Sequence, residues 1–289
     1  MKKLHVGHKS DQLCQMTAAT GQPMTDAPAR LRKPDRQSRI VAALRAAPAL
    51  RIHELSALLL VSPETVRRDL TEMDQAGLIN RTYGGATRAV GQEPGIAVRE
   101  GLMVAERRRI AEAAVALIAP DDVLMIGGGA TTLHFARLLA ERCNGLTIIT
   151  HGISIAAALA ANPTHKVLIL PGQYDGREGQ ILGPDTIEAL HRFHANKAVL
   201  GASGLTDEGP NDAGLSPGQT YGTMMLRAAE TLILADHGKF AQTSLTVYGR
   251  WSPTTTLVTD IAPTGALAQA LSRVGAGLVV ANPNPAGAG

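Results

Sequence analysis

Residues 62–86, SPETVRRDLTEMDQAGLINRTYGGA, leave the backbone few choices. Ser62 can accept hydrogen bonds from the unpaired N–H groups of a first helical turn, and Pro63 stands at the first helical position, where its missing donor costs nothing. Val66, Leu70 and Met73 then recur at i, i+4, i+7 as an apolar stripe, while Glu64, Thr65, Arg67, Arg68 and Thr71 fall on other faces. Gly77 is placed to end the helix. Residues 78–81 read as a strand, and Gly84-Gly85 offers the φ > 0 freedom of a hairpin turn. The prediction is an amphipathic helix with a basic outer face, followed by a wing.

Upstream, residues 36–47 put Ile40, Val41 and Leu44 on one helical face, with Pro48 as a stop, and residues 54–59 form a second short helix through Leu55, Leu58 and Leu59. Only Leu60-Val61 separate it from Ser62, the tight connection of a helix-turn-helix. Charge agrees with that reading. Residues 1–90 hold 14 Lys/Arg against 8 Asp/Glu, and residues 91–289 hold 14 against 17, so a basic front sits on a mildly acidic body. A winged helix-turn-helix would place Arg67 and Arg68 in the major groove with Ser62, Glu64, Thr65 and Thr71 beside them, and Arg81, Tyr83 and Gly84 of the wing at the DNA backbone.

The second half has a different rhythm. Val123–Ile126 is a short apolar run that enters Gly127-Gly128-Gly129-Ala130-Thr131-Thr132 and then a helical stretch, 133–140. Strand, glycine-rich turn and helix is the arrangement in which N–H groups of Gly128, Gly129 and Ala130 can cradle an anion, with the hydroxyls of Thr131 and Thr132 as further donors. The run 146–150, the helix 154–161, and the runs 167–170, 198–200, 232–234 and 256–260 continue the alternation. It predicts an α/β domain with a mostly parallel sheet, whose ligand site lies beyond the strands' carboxyl ends, near Gly128–Thr132, Thr150 and Gly172. The basic run Arg107-Arg108-Arg109 reads as the solvated start of a helix.

The string VSPETVRRDL (61–70), then GLI (77–79) and RTYGGA (81–86), resembles the N-terminal signature of the DeoR family of bacterial transcriptional regulators. GGGATT (127–132), LPG (170–172), GASGL (201–205), LADHGKF (234–240) and LVTD (257–260) resemble that family's sensor domain, whose fold is related to ribose-5-phosphate isomerase. The resemblance covers roughly residues 36–262. It implies a repressor of a carbohydrate-metabolism operon that binds operator DNA under the control of a phosphorylated sugar or related small phosphate. It implies that Gly129, Thr131 and Thr132 hold the phosphate and that Asp236 and Lys239 complete the pocket. The chain departs from the family's pattern at Gly127, His151, Gln173 and the segment 219–221.

Residues 1–34 are expected to be a disordered extension, 35–90 the winged module, 91–108 a linker, 109–275 the sensor domain and 276–289 a flexible tail. Two distant cysteines, Cys14 and Cys143, support neither a disulfide framework nor a metal cluster, which makes a reducing cytoplasm the expectation; no cofactor is implied. No apolar run is long enough to span a bilayer. A helix-turn-helix that pairs two half-sites is expected to work as a homo-oligomer, a dimer or tetramer. The rival reading is a sugar-phosphate isomerase with an accessory DNA-binding domain, in which Asp207, Glu208, Asp212 or Asp236 serves as base and Lys239 steadies an enediolate. Carboxylates in so glycine-rich a loop are usually turn formers, so the expectation is a regulator and not an enzyme.

Overall fold

The computed structural model describes residues 31–47, 49–75, 78–88 and 94–281. Its N-terminal module runs α1 (Lys33–Ala46), β1 (Ala49–Arg51), α2 (Ile52–Leu59), α3 (Pro63–Gln75), β2 (Ile79–Thr82) and β3 (Gly85–Arg88). Ser62 caps α3, its Oγ accepting from the Thr65 N–H at 3.2 Å. Ile40 and Leu44 of α1, Leu55 and Leu59 of α2, and Val66, Leu70 and Met73 of α3 are buried and close one small core. Leu58 lies outside it and is exposed. Pro48 and Gly77, expected as helix stops, lie outside the described residues.

The wing differs from the expectation in two ways. β1 joins it, giving a three-stranded antiparallel sheet in the order β1-β3-β2. Neither Gly84 nor Gly85 takes a positive φ. Thr82 pairs with Gly85, so Tyr83 and Gly84 form the connection, and Gly85 is required for a different reason: a Cβ there would sit 2.0 Å from the Leu50 carbonyl oxygen of β1. The third strand approaches too closely for any side chain.

The remainder runs α4 (Ile96–Arg99), α5 (Val104–Val115), β4 (Val123–Ile126), α6 (Ala130–Arg142), β5 (Thr147–Thr150), α7 (Ile153–Ala160) and β6 (Lys166–Ile169). It continues with β7 (Gln173–Asp175), β8 (Gln180–Leu182), α8 (Pro184–Leu190), β9 (Ala195–Gly201), β10 (Gly204–Leu205), β11 (Pro210–Asp212) and α9 (Leu215–Arg227). It closes with β12 (Ala228–Leu234), β13 (Thr246–Val247), β14 (Thr255–Thr259), α10 (Gly265–Val274) and β15 (Gly277–Val280). The expected linker, 91–108, therefore contains α4 and the start of α5. The expected tail contains β15, which pairs in parallel with β14.

Seven parallel strands form the central sheet in the order β15-β14-β12-β9-β4-β5-β6. Strand alternation sends Leu124, Ile126, Ile148, Val199 and Val258 to one face, under α5, α6 and α7. Met125, Ile149, Leu200, Ile233 and Leu257 go to the other, under α9 and α10. Both faces are covered, which is why these strands read as unbroken apolar runs. From β4 the chain proceeds to β5 on one side and later to β9 on the other. The gap between the carboxyl ends of β4 and β9 is thus a topological switch point, where open α/β sheets hold ligands. Among the described residues no helix is long and apolar enough to cross a membrane.

Candidate DNA interface and ligand cleft

On α3 the buried stripe fixes what the opposite face presents. Glu64, Arg67 and Arg68 are exposed, Thr65 and Thr71 are half-buried beside them, and Ser62 is exposed at the helix start. Arg67 pairs with Glu64 at 3.3 Å, and the Thr71 hydroxyl donates to the Arg67 carbonyl at 2.8 Å. The wing is tied to the same helix, since the Arg81 N–H donates to Asp74 Oδ1 at 2.8 Å. Tyr83 and Gly84 stand exposed at its tip. What the sequence reading missed is the anchor behind this face. Arg36 of α1 forks onto Asp69 of α3, with Nε–Oδ2 at 2.7 Å and Nη2–Oδ1 at 2.9 Å, and both side chains are nearly out of solvent. The hydrogen bond to Asp69 raises the Arg36 pKa further. The signal was present in the period, because Asp69 adjoins Leu70 on the inner side of α3.

A cleft of about 350 Å³ opens at the switch point. Gly128, Gly129, Ala130 and Thr131 form one wall, where β4 gives way to α6. Gly129 precedes the helix with φ +131°, and no side chain caps α6, so its first-turn N–H groups have no helical partner. Lys239 reaches the cleft from the 3₁₀ turn after β12. That turn is fixed by Asp260 of the LVTD string, which accepts from the His237 backbone N–H at 2.7 Å and from Nδ1 at 2.6 Å.

The glycines are explained mainly by crowding. A Cβ on Gly127 would meet the Tyr221 ring at 2.8 Å, and one on Gly128 would meet Gln180 at 2.6 Å. The Gly128 peptide is held at both ends: its N–H donates to His151 Nε2 at 3.1 Å, and its carbonyl accepts from the Tyr221 hydroxyl at 2.7 Å. His151 Nδ1 in turn lies 3.0 Å from the Ile181 carbonyl, which fixes Nδ1 as the protonated nitrogen of a neutral ring. Burial pushes the His151 pKa down to about 4 against the smaller upward pull of that carbonyl. Burial likewise raises the Tyr221 hydroxyl, so it stays a donor.

Of the residues expected to bind the effector, Gly128, Gly129, Ala130, Thr131 and Lys239 line the cleft. Four others do not. Thr132 is fully buried and its hydroxyl donates to the Gly129 carbonyl at 3.0 Å, closing the turn instead of facing a ligand. Thr150 is buried, donating to the Ile126 carbonyl at 2.7 Å and accepting from the Gly152 N–H at 3.1 Å. Gly172 is needed for φ +143° at a turn packed on Thr186. Asp236 sits behind the wall, accepting from the Gly238 N–H at 3.1 Å and facing Arg107 Nη2 at 3.7 Å.

Arg107 itself corrects the reading of the arginine run. It is buried and lines the cleft, while Arg108 is exposed. Arg107, Ala111 and Ala114 share the inner face of α5, a period that could have identified it. Arg99, Arg177, Gln180, Asp212 and Tyr221 also line the cleft and were not singled out as ligand contacts. Asp207 and Glu208, considered as bases, are exposed and outside it, and Asp212 Oδ1 accepts from the Gly214 N–H at 2.9 Å.

The connector that leads from the wing is part of this site. The Ile96 N–H donates to the Arg177 carbonyl at 3.2 Å, Arg99 pairs with Glu178, and Arg107 donates to the Arg99 carbonyl. Four residues on from Arg99, the Met103 N–H donates to Ser38 Oγ of α1 at 3.4 Å.

Two family models match the chain. One, described as a DeoR-like helix-turn-helix domain, matches residues 36–90, and one described as the DeoR C terminal sensor domain matches residues 103–261. The transcriptional repressor AccR of Agrobacterium fabrum is 31% identical over 230 residues, 78% of this chain and 89% of that protein. The HTH-type transcriptional repressor CsqR of Escherichia coli is 32% identical over 220 residues, 75% of this chain and 84% of that protein. The glycerol-3-phosphate regulon repressor of Escherichia coli is 27% identical over 219 residues, 73% of this chain and 84% of that one. Among solved structures, ribose 5-phosphate isomerase A from Methanocaldococcus jannaschii aligns with 47% of this chain and 53% of its own, at 17% identity and a TM-score of 0.35.

Proposed function

Because the chain belongs to the DeoR family, we propose that it is a transcriptional repressor whose grip on operator DNA is set by a phosphorylated sugar, or a related small phosphate, bound in the switch-point cleft. The observation that carries this is the convergence, in one cleft, of an uncapped helix N-terminus at Gly128–Thr131 with the cations Lys239 and Arg107. A dianion there meets N–H groups at the positive end of α6 and two side-chain charges from separate elements. A relative named for the glycerol-3-phosphate regulon supports a phosphate of carbohydrate metabolism as effector and a carbohydrate operon as target.

Arg67 and Arg68 would read or clamp the major groove, with Ser62, Glu64, Thr65 and Thr71 around them, while Arg81, Tyr83 and Gly84 would hold the backbone from the wing. Two half-sites call for at least a dimer. Coupling requires that the ligand prefer one arrangement of the two modules, since only differential affinity shifts an equilibrium. The connector supplies the route: Arg99 faces the cleft, Arg107 holds the Arg99 backbone, and the chain between them and β3 leads to the DNA module. Of the carboxylates the isomerase reading would use as base, Asp207, Glu208 and Asp236 do not line the cleft, and Asp212, which does, has Oδ1 accepting the Gly214 N–H.

The test is fluorescence anisotropy of labelled DNA from the chain's own upstream region, titrated at several salt concentrations with and without a panel of sugar phosphates. Affinity should fall steeply with salt, and at least one phosphate, but not its unphosphorylated parent, should change it. Equal response to a sugar and its phosphate would remove the cleft assignment; no DNA binding under any condition would remove the repressor.

A further inference from the structure

Behind the glycine wall the hydrogen bonds have a fixed polarity that ends on one atom. Tyr221 has a single hydroxyl proton and gives it to the Gly128 carbonyl. Gln180 acts on the Tyr221 hydroxyl in the sense of a donor, its NH₂ directed at the remaining lone pair. That assigns the Gln180 amide orientation, with Nε2 on the side of Gly128. Its Oε1 is left as a buried acceptor with no partner, on a side chain that lines the cleft and is only 3% exposed. An unpaired buried acceptor is destabilising until a donor arrives.

We propose that Gln180 is a specificity-determining residue of the cleft, whose Oε1 accepts a hydroxyl of the bound ligand, so that the effector is a phosphorylated polyol or sugar and not a phosphorylated acid. This rests on reading the cleft as the phosphate site. The surroundings of Tyr221 agree with a donor-bearing end: the carboxylates of Asp212 and Glu178 line the same space and act on its hydroxyl, while Arg99, which acts in the opposite sense, is held by Glu178. A carboxylate brought to Oε1 meets an acceptor with no proton to share; a hydroxyl supplies the donor that Oε1 lacks. Sites built around an unpaired group of this kind reject ligands that cannot complete it.

The experiment is titration calorimetry on the full chain with inorganic phosphate and matched pairs that differ only at the far end. Suitable pairs are glycerol 3-phosphate with 3-phosphoglycerate, and sorbitol 6-phosphate with 6-phosphogluconate. The polyol of at least one pair should bind about tenfold more tightly than its acid and than inorganic phosphate. In Gln180→Met that advantage over inorganic phosphate should fall about tenfold, with inorganic phosphate itself unchanged. Gln180→Glu keeps the acceptor and adds charge, so the polyol-to-acid ratio should widen, and it serves as the second arm if the methionine variant does not fold. An acid bound as tightly as its polyol, an advantage that survives Gln180→Met, or an unchanged ratio in Gln180→Glu overturns the assignment of Gln180 while leaving the phosphate site standing. Failure of every phosphate to bind overturns both.

Discussion

Lowering the pH should unlock the glycine wall through one side chain. His151 is buried and neutral, accepting the Gly128 N–H at Nε2, and its pKa is pushed from 6.5 to about 4. Between those values the unfolded chain takes up a proton that the folded chain refuses, so stability falls as pH drops from about 6.5 toward 4 and is intact above it. At about 1.4 kcal/mol per pH unit, the loss from this residue is about 2 kcal/mol by pH 5 and about 3 kcal/mol by pH 4. Other groups titrate in the same window, so the informative quantity is a difference between variants. The substitution His151→Gln would reproduce the neutral ring's pattern, a carbonyl for Gly128 and an NH₂ for Ile181, without a titrating proton. Urea unfolding of wild type and His151→Gln at pH 7 and pH 5 should therefore show a smaller acid loss in the variant, by about 2 kcal/mol. Equal losses in the two proteins would refute the protonation argument.

Other perturbations separate the two modules. Arg67→Ala and Arg68→Ala should each weaken operator binding by about 1–3 kcal/mol in a mobility-shift assay while leaving the melting temperature unchanged. Asp69→Asn should do the reverse, destabilising the module by about 3–5 kcal/mol because the nearly buried Arg36 guanidinium loses its bidentate carboxylate; calorimetric melting of the variant measures it. Lys239→Ala should weaken a bound sugar phosphate by about 1–3 kcal/mol in calorimetry and leave ligand-free operator binding intact. Thr132→Val, by contrast, should lower stability and spare ligand affinity relative to Thr131→Val, since only Thr131 lines the cleft.

Whatever depends on local period was legible in the sequence. The α3 helix has a cap, a proline and an apolar stripe within thirteen residues, and the buried strands stand out as apolar runs. The cleft was only half legible, because its walls come from Arg99, Arg107, the loop after β4, residues 175–180, the end of β9, α9 and Lys239, and no spacing in one dimension announces that they meet. Thr131 and Thr132 show the limit: adjacent on a helix, they point about 100° apart, so one faces the cleft and the other closes the turn. β15 was missed because four residues after a helix-ending glycine look like a tail until β14 is there to pair with them.

The place of β4 in the sheet bears on how the chain can be made. β5 and β6 follow it directly, but its other edge belongs to β9, residues 195–201. During synthesis the internal contacts of the winged module, those among α1, α2, α3 and its three strands, are complete once β3 emerges, and β4, β5 and β6 can pair soon afterwards. The second edge of β4, with Leu124, Met125 and Ile126 all buried in the finished protein, then stays open until β9 leaves the ribosome. A message truncated between those points yields a DNA-binding head joined to an unpaired apolar strand, a product that self-associates instead of regulating.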